Sequence, residues 1–250
     1  MAGTALRGRL TWQPAELVEA IDETSRARTL VFDVPEWMQH RAGQHLDVRL
    51  TAEDGYRAER SYSIASAPGD RLAITVQRLA DGEVSPYLVD ELRPGDRIEL
   101  RGPVGGYFVW EPDRGGPIFL AAGGSGVVPL MSMARTRALE GADVPARLLY
   151  SARTLDEVIY REELERLATD QPELDVVYTL TRGQPEGWTG YARRVDGELL
   201  AETAWPAHES PLAYVCGPTN FVEAVAEGLV GLGYPPERVK TERFGATGGR

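Results

Sequence analysis

The stretch AAGGSGVVPLMSM, Ala121–Met133, decides how this chain folds. It continues PIFLAA (117–122), a short unbroken apolar run of the kind found in a strand covered on both faces. Gly123, Gly124 and Gly126 then make a turn whose missing side chains let the backbone approach a ligand, and Pro129 stands in or near the first turn of the helix that follows. Free N–H groups at such a helix start suit a pyrophosphate, although a tight turn without a ligand satisfies the same residues, and the full Gly-x-Gly-x-x-Gly fingerprint is absent. Working outward, ARLLYS (146–151), LDVVYTL (174–180) and LAYVCG (212–217) repeat the apolar run, with helical stretches between them. In the last of these stretches Phe221, Val225, Leu229 and Leu232 are expected on one helical face. Alternating strand and helix predicts a Rossmann-like parallel sheet. YVCGPTNF (214–221) supplies a second strand end, with Gly217 and Pro218 opening a helix at the same carboxyl edge, where open α/β sheets bind ligands.

Toward the N-terminus the rhythm changes. HLDVRL (45–50) alternates Leu46, Val48 and Leu50; LAITVQR (72–78) alternates Leu72, Ile74 and Val76; RPGDRIEL (93–100) reads as a turn and a strand. Short strands punctuated by Gly and Pro predict an antiparallel β-barrel of low helix content. EPDRGGP (111–117) separates the two patterns, so the expected domains are residues 1–113 and 114–250.

A length of 250 residues suits two such domains. No apolar run approaches the roughly 20 residues of a membrane span. The start MAGTALRGRL lacks the apolar core of a secretory signal and Cys216 is the single cysteine, so a cytoplasmic protein is expected. A net charge of −11 argues against a general nucleic-acid or anionic-membrane binder. Lys240 is the only lysine, which leaves phosphate recognition to arginines, backbone amides and hydroxyls. His40, His45 and His208 are scattered rather than spaced as ligands, and no metal centre is expected. A monomer is the expected state.

The order of these pieces resembles the ferredoxin–NADP reductase family of flavoproteins over nearly the whole chain. The resemblance rests on RSYS (60–63), GEVS (82–85), GPVGGYF (102–108), GGSGVVP (123–129), CGP (216–218) and ERF (242–244). It implies an FAD-binding barrel at 1–113 and an NAD(P)-binding domain at 114–250. In the first, Arg60 meets the FAD pyrophosphate, Ser61 lies within the same motif, Tyr62 stacks on the isoalloxazine, and Ser63 hydrogen-bonds near flavin N5. A forked guanidinium, a flat ring and a hydroxyl suit those tasks. Gly82, Val84 and Ser85 correspond to a second phosphate grip, Val76 and Arg78 to the lining of the flavin and its ribityl-phosphate arm, and Phe244 to an aromatic cover on the flavin, six residues before the end of the chain.

For the second domain the resemblance implies NAD(P) contacts from Gly123, Gly124, Ser125, Gly126, Cys216, Gly217 and Pro218. Ser151 and Arg153 stand just after the second parallel strand, where a ribose hydroxyl is told from a 2′-phosphate, and no acidic residue is there to take a ribose diol; NADPH over NADH is the expectation. Ser63, Cys216 and Glu242 match the family's residues around nicotinamide and flavin. They would hold the reacting atoms together and exclude water rather than act covalently. The expected activity is passage of electrons from NADPH or NADH through FAD to a separate redox protein, such as a ferredoxin, a haem monooxygenase or another metalloprotein, because no cysteine-ligated ferredoxin module accompanies the two domains. A flavin reductase acting on free flavin, quinone or another small acceptor is one alternative, and a non-catalytic flavin-binding sensor or subunit is another.

Overall fold

The structure, a computed structural model, describes residues 10–140 and 143–244. Its first half has six strands: β1 (Gln13–Thr24), β2 (Ala27–Asp33), β3 (His45–Thr51), β4 (Arg57–Ser63), β5 (Leu72–Gln77) and β6 (Arg97–Val104). All pair antiparallel in the order β4-β3-β6-β1-β2-β5, and an Ile64–Ile74 bridge joins the two ends, closing the sheet into a barrel. Closure leaves no long open edge. Helix in this half is limited to residues 85–91 and a single turn at Pro112–Arg114, in keeping with the low helix content expected from its strand pattern. Leu46 and Val48 point into the barrel with Leu17, Leu30, Phe32 and Leu100. The strand at 72–77 departs from simple alternation: Leu72, Ile74 and Val76 face the barrel core, yet Ala73 and Thr75 are buried too, because the second domain covers the outer face of β5.

The second half holds β7 (Ile118–Gly123), β8 (Ala146–Ala152), β9 (Leu174–Leu180), β10 (Leu212–Pro218) and β11 (Val239–Phe244), with helices α1 (Val127–Leu139), α2 (Arg161–Asp170), α3 (Gly197–Thr203) and α4 (Thr219–Gly231). All five strands are parallel, in the order β11-β10-β7-β8-β9, so the winding reverses between β7 and β10. That reversal is the switch point at which α/β sheets open a crevice. Every residue of β7 is buried, as the apolar run required. The α4 face is shifted from the one expected. Val222, Val225 and Leu229 are buried, Phe221 lies half-buried, and Leu232 is exposed because the helix ends at Gly231 and carries it off the face.

The halves share a core. Ala27, Ala65, Ala73, Phe108 and Trp110 of the first pack in one apolar cluster with Val128, Met131 and Ile159 of the second. Gly43, at φ +93°, lets α1 come close: a Cβ there would lie 2.7 Å from the end of the Met133 side chain and 2.0 Å from the Phe108 carbonyl oxygen. No helix among the described residues is long and apolar enough to cross a membrane.

Candidate active site

The two glycine-rich turns meet at the switch point. Gly124–Gly126 winds as a single helical turn between β7 and α1, and Gly124 needs its glycine for a φ of +55°. Gly126 needs its own for space, since a Cβ would sit 2.1 Å from the Cys216 carbonyl oxygen. Gly123 and Gly217 touch in the same way, and a Cβ on either would strike the Phe221 ring at 2.8 Å. Two turns 91 residues apart are thus in backbone contact, with the start of α1 uncapped by any side chain. Ser125 is half-buried on this turn, and Pro218 stands at the start of α4.

Cys216 and Glu242 are register partners on β10 and β11. Burial pushes the Cys216 thiol well above its usual range, with the Glu242 charge adding to the effect, so the thiol stays protonated at neutral pH. Glu242 Oε2 is buried with no hydrogen-bond partner, and that burial pushes its carboxyl up to about 7. An unpaired buried carboxyl oxygen costs about 1–3 kcal/mol and is the sort of atom a ligand satisfies. Phe244, 38% exposed, is the register partner of Pro218 and lies on the rim beside these residues. On the other side, Ser151 pairs in register with Gly123. The exposed Arg153 is anchored by its carbonyl, which accepts from Arg182 N at 2.9 Å and Gly183 N at 3.1 Å; its guanidinium makes no ion pair among the described residues.

The barrel's residues are held differently. Arg60 donates to Glu83 at 2.8 Å and to the Glu59 carbonyl at 2.7 Å, while the Tyr56 hydroxyl donates to the same Glu83 at 3.1 Å. Arg60 and the GEVS loop are therefore already joined. Within that loop Ser85 Oγ accepts the Leu79 N–H at 3.0 Å, and a Cβ on Gly82 would press on it at 2.8 Å. Val84 and Val76 lie in the barrel core, and Arg78 donates to Asp90 at 2.6 Å. Ser61 donates to Asp47 at 2.7 Å. Tyr62 is half-buried against the barrel core, which pushes its hydroxyl up to about 12, and Ser63 ends β4.

Two side chains take partners that their place in the sequence does not announce. His45 is the cross-strand partner of Ser63, and the hydrogen bond from Ile64 N to Gln44 O makes this the close, non-hydrogen-bonded kind of pair. Tyr107 carries Lys240 of β11 over its ring, with the ammonium 4.6 Å from the ring centroid. Both pairings join distant stretches of chain. The outward position of His45 beside inward Leu46 was readable; its partner was not.

The oxidoreductase FAD-binding domain family matches residues 14–109 and the oxidoreductase NAD-binding domain family residues 120–227. The chain is 36% identical over 209 residues to ferredoxin–NADP reductase B of Sorangium cellulosum, covering 81% of this chain and 84% of that protein. It is 34% identical over 238 residues to the glycine betaine monooxygenase reductase subunit of Chromohalobacter salexigens, covering 92% of this chain but only 63% of that longer relative. Among solved structures it resembles the FAD/NAD-binding domain of nitric oxide dioxygenase from Vibrio cholerae, with a TM-score of 0.84, 26% identity, and 93% and 98% of the two chains covered. The chain's own groups fit FAD and a nicotinamide dinucleotide: the Arg60 guanidinium beside the Gly82–Ser85 loop, the paired glycine turns at the switch point, a half-buried tyrosine ring, and an orphaned carboxyl oxygen at the sheet's edge.

Proposed function

The chain belongs to the ferredoxin–NADP reductase family of FAD-dependent oxidoreductases, and on that premise we propose that it takes hydride from NADPH and delivers electrons singly to a separate redox protein. FAD, when bound, accepts two electrons together and can release them one at a time. The chain's residues supply binding, orientation and dryness. In this reading the barrel (1–113) grips FAD, with Arg60 on the pyrophosphate, the backbone of Gly82–Ser85 on the phosphates, Tyr62 against the ring system, Val76 and Arg78 along its lining and Phe244 as a cover. Residues 114–250 take the nicotinamide dinucleotide on the Gly123–Gly126 and Cys216–Pro218 turns. Ser151 and Arg153, joined by neighbouring Arg182, meet the 2′-phosphate. Ser63, Cys216 and Glu242 fix the reacting faces and keep water out.

The observation that carries this reading is the backbone contact between the two glycine turns at the β7/β10 switch point, directly beside the buried Cys216–Glu242 pair. Such an edge offers amides to a pyrophosphate and a buried floor to a nicotinamide. The names of the relatives support a protein acceptor, one being a ferredoxin–NADP reductase and another the reductase subunit of an oxygenase. We read the protein as a cytoplasmic monomer. Under anaerobic conditions NADPH should bleach the bound flavin, and an added ferredoxin or oxygenase should then restore its colour. Turnover with free flavin alone, and with no protein acceptor, would overturn the assignment in favour of a flavin reductase.

A further inference from the structure

Two of the segments assigned to the nucleotide, Gly123–Gly126 and Ser151–Arg153, are each tied to the barrel by side chains from the stretch that follows them. The Gly123–Gly126 turn runs into α1, where Ser132 Oγ donates to the Ser66 carbonyl at 2.7 Å and Arg135 donates to the Ala65 carbonyl at 2.8 Å. Ala65 and Ser66 lie two and three residues beyond Ser63. The Ser151–Arg153 loop runs to Tyr160, whose hydroxyl meets Thr75 Oγ1 on the outer face of β5. Tyr160 is held at φ +60°, a left-handed conformation that side chains other than Gly and Asn rarely take. Its ring is packed under Arg135, which forks onto Glu163 at 2.9 and 2.6 Å.

Beside Thr75 the contact continues across the outer face of the barrel, onto β2 and the end of β1. Thr29 Oγ1 lies 2.7 Å from Thr75 Oγ1 and donates to Glu23 Oε1 at 2.6 Å. A hydroxyl has one proton to give, and an ionised carboxylate only accepts. With Glu23 ionised, the order of donation runs Tyr160 to Thr75, Thr75 to Thr29, Thr29 to Glu23. Such a chain is cooperative, and its geometry is narrower than that of an apolar contact, which tolerates sliding.

Resting on the hydride-transfer reading above, we infer that this seam is a positioning device: Tyr160 and Ser132 lock the segments after β8 and β7 against β5 and against the stretch that follows β4, and the Ile64–Ile74 bridge joins these to the strand carrying Tyr62 and Ser63, setting the approach of nicotinamide to flavin. Neither side chain is a catalytic residue. Hydride transfer is steep in distance, and a displacement of about 1 Å from afar can cost a hundredfold, so small losses of register should appear in the transfer step before they appear in binding.

The test uses the intact FAD-loaded protein in three variants. Tyr160→Phe keeps the ring under Arg135 and removes only the donor. Thr75→Val breaks the same link from the barrel side at equal volume, and Thr75→Ser retains a hydroxyl. Flavin bleaching by NADPH in an anaerobic stopped-flow experiment should slow about tenfold in Tyr160→Phe and in Thr75→Val, no further in the double variant, and stay near the wild-type rate in Thr75→Ser. FAD content and the affinity for 2′,5′-ADP should change less than twofold. Independently of any redox step, amide exchange over residues 65–75 in the nucleotide-free protein should quicken in the two slow variants. Wild-type bleaching in Thr75→Val, equal slowing in Thr75→Ser, or slowing that follows lost FAD would each overturn the seam. A wild type that neither NADPH nor NADH bleaches would instead overturn the reductase reading on which it rests.

Discussion

The barrel and the α/β half build their sites from different materials. In the barrel the working groups are side chains that already hold one another: Arg60 with Glu83, Arg78 with Asp90, and Ser85 with the backbone of Leu79. At the switch point the material is bare backbone, with glycines pressed against each other and against Phe221, and a single unpaired carboxyl oxygen nearby. Side chains can turn from one partner to another, and exposed ion pairs are worth about 0–1 kcal/mol, so the first kind of site adapts cheaply. A backbone contact at van der Waals distance cannot adapt, because interiors are packed like crystals. Damage to the barrel site should therefore be graded, and damage at the switch point abrupt.

Gly126→Ala attacks the comparison where the largest effect is expected. Its Cβ would lie 2.1 Å from the Cys216 carbonyl oxygen, so the turns must part. Thermal or urea unfolding should register a loss of about 3 kcal/mol, and bleaching by NADPH should slow by roughly a hundredfold or more, with FAD retained. A variant that unfolds and bleaches like wild type would show that the turns adapt after all. Glu242 offers the next largest effect. Its carboxyl, about 7 when folded against 4.5 when free, keeps a proton that the unfolded chain has released. Its contribution is thus fully present below about pH 4.5 and is lost as pH rises through 7, a swing on the order of 2–3 kcal/mol. Glu242→Gln should flatten that slope and leave the protein more stable than wild type at pH 8, as urea midpoints at pH 5 and pH 8 would reveal.

The barrel side predicts smaller changes, and of both signs. Arg60→Ala should weaken FAD about ten- to a hundredfold, the loss of one charged contact of about 1.5–3 kcal/mol. Glu83→Gln, which releases Arg60 from its carboxylate, should tighten FAD by about threefold. Fluorescence titration of the apoprotein reads both, and weaker binding in both variants would mean that Glu83 orders the loop rather than competes for the arginine. At the rim of the α/β half, away from the packed turns, Arg153→Ala should raise the KM for NADPH about tenfold and leave NADH turnover unchanged. Equal kcat/KM for the two nucleotides in the wild type would remove the 2′-phosphate from Ser151 and Arg153.

The same contrast explains what was legible in the sequence. PIFLAA and LAYVCG announce their strands because burial on both faces demands apolar runs, while LDVVYTL, the edge strand β9, is apolar enough to be read although only Leu174, Thr179 and Leu180 are fully buried; glycine turns announce themselves because a missing side chain is a local fact. β1 and β11 stayed hidden. QPAELVEAIDET buries fully only Ala15 and Leu17, and VKTERF only Val239, so neither strand carries a readable period. Partners across the barrel are a matter of register, which no local pattern encodes: Glu83 meets Arg60 from 23 residues away, and Tyr160 meets Thr75 from 85. The motif residues of the site could be listed from the sequence, whereas the groups that hold them could not.

Lys240 is the sequence's only lysine, and its ammonium rests over the Tyr107 ring where β11 meets the barrel. Amine-directed chemistry therefore has one side-chain target in this protein, besides the chain's amino terminus, and it lies where the two halves join. A fluorophore coupled there would be a single-point reporter of any change in their spacing. A zero-length carbodiimide crosslink from the same nitrogen to a candidate acceptor protein would test whether that protein comes to rest against the joint.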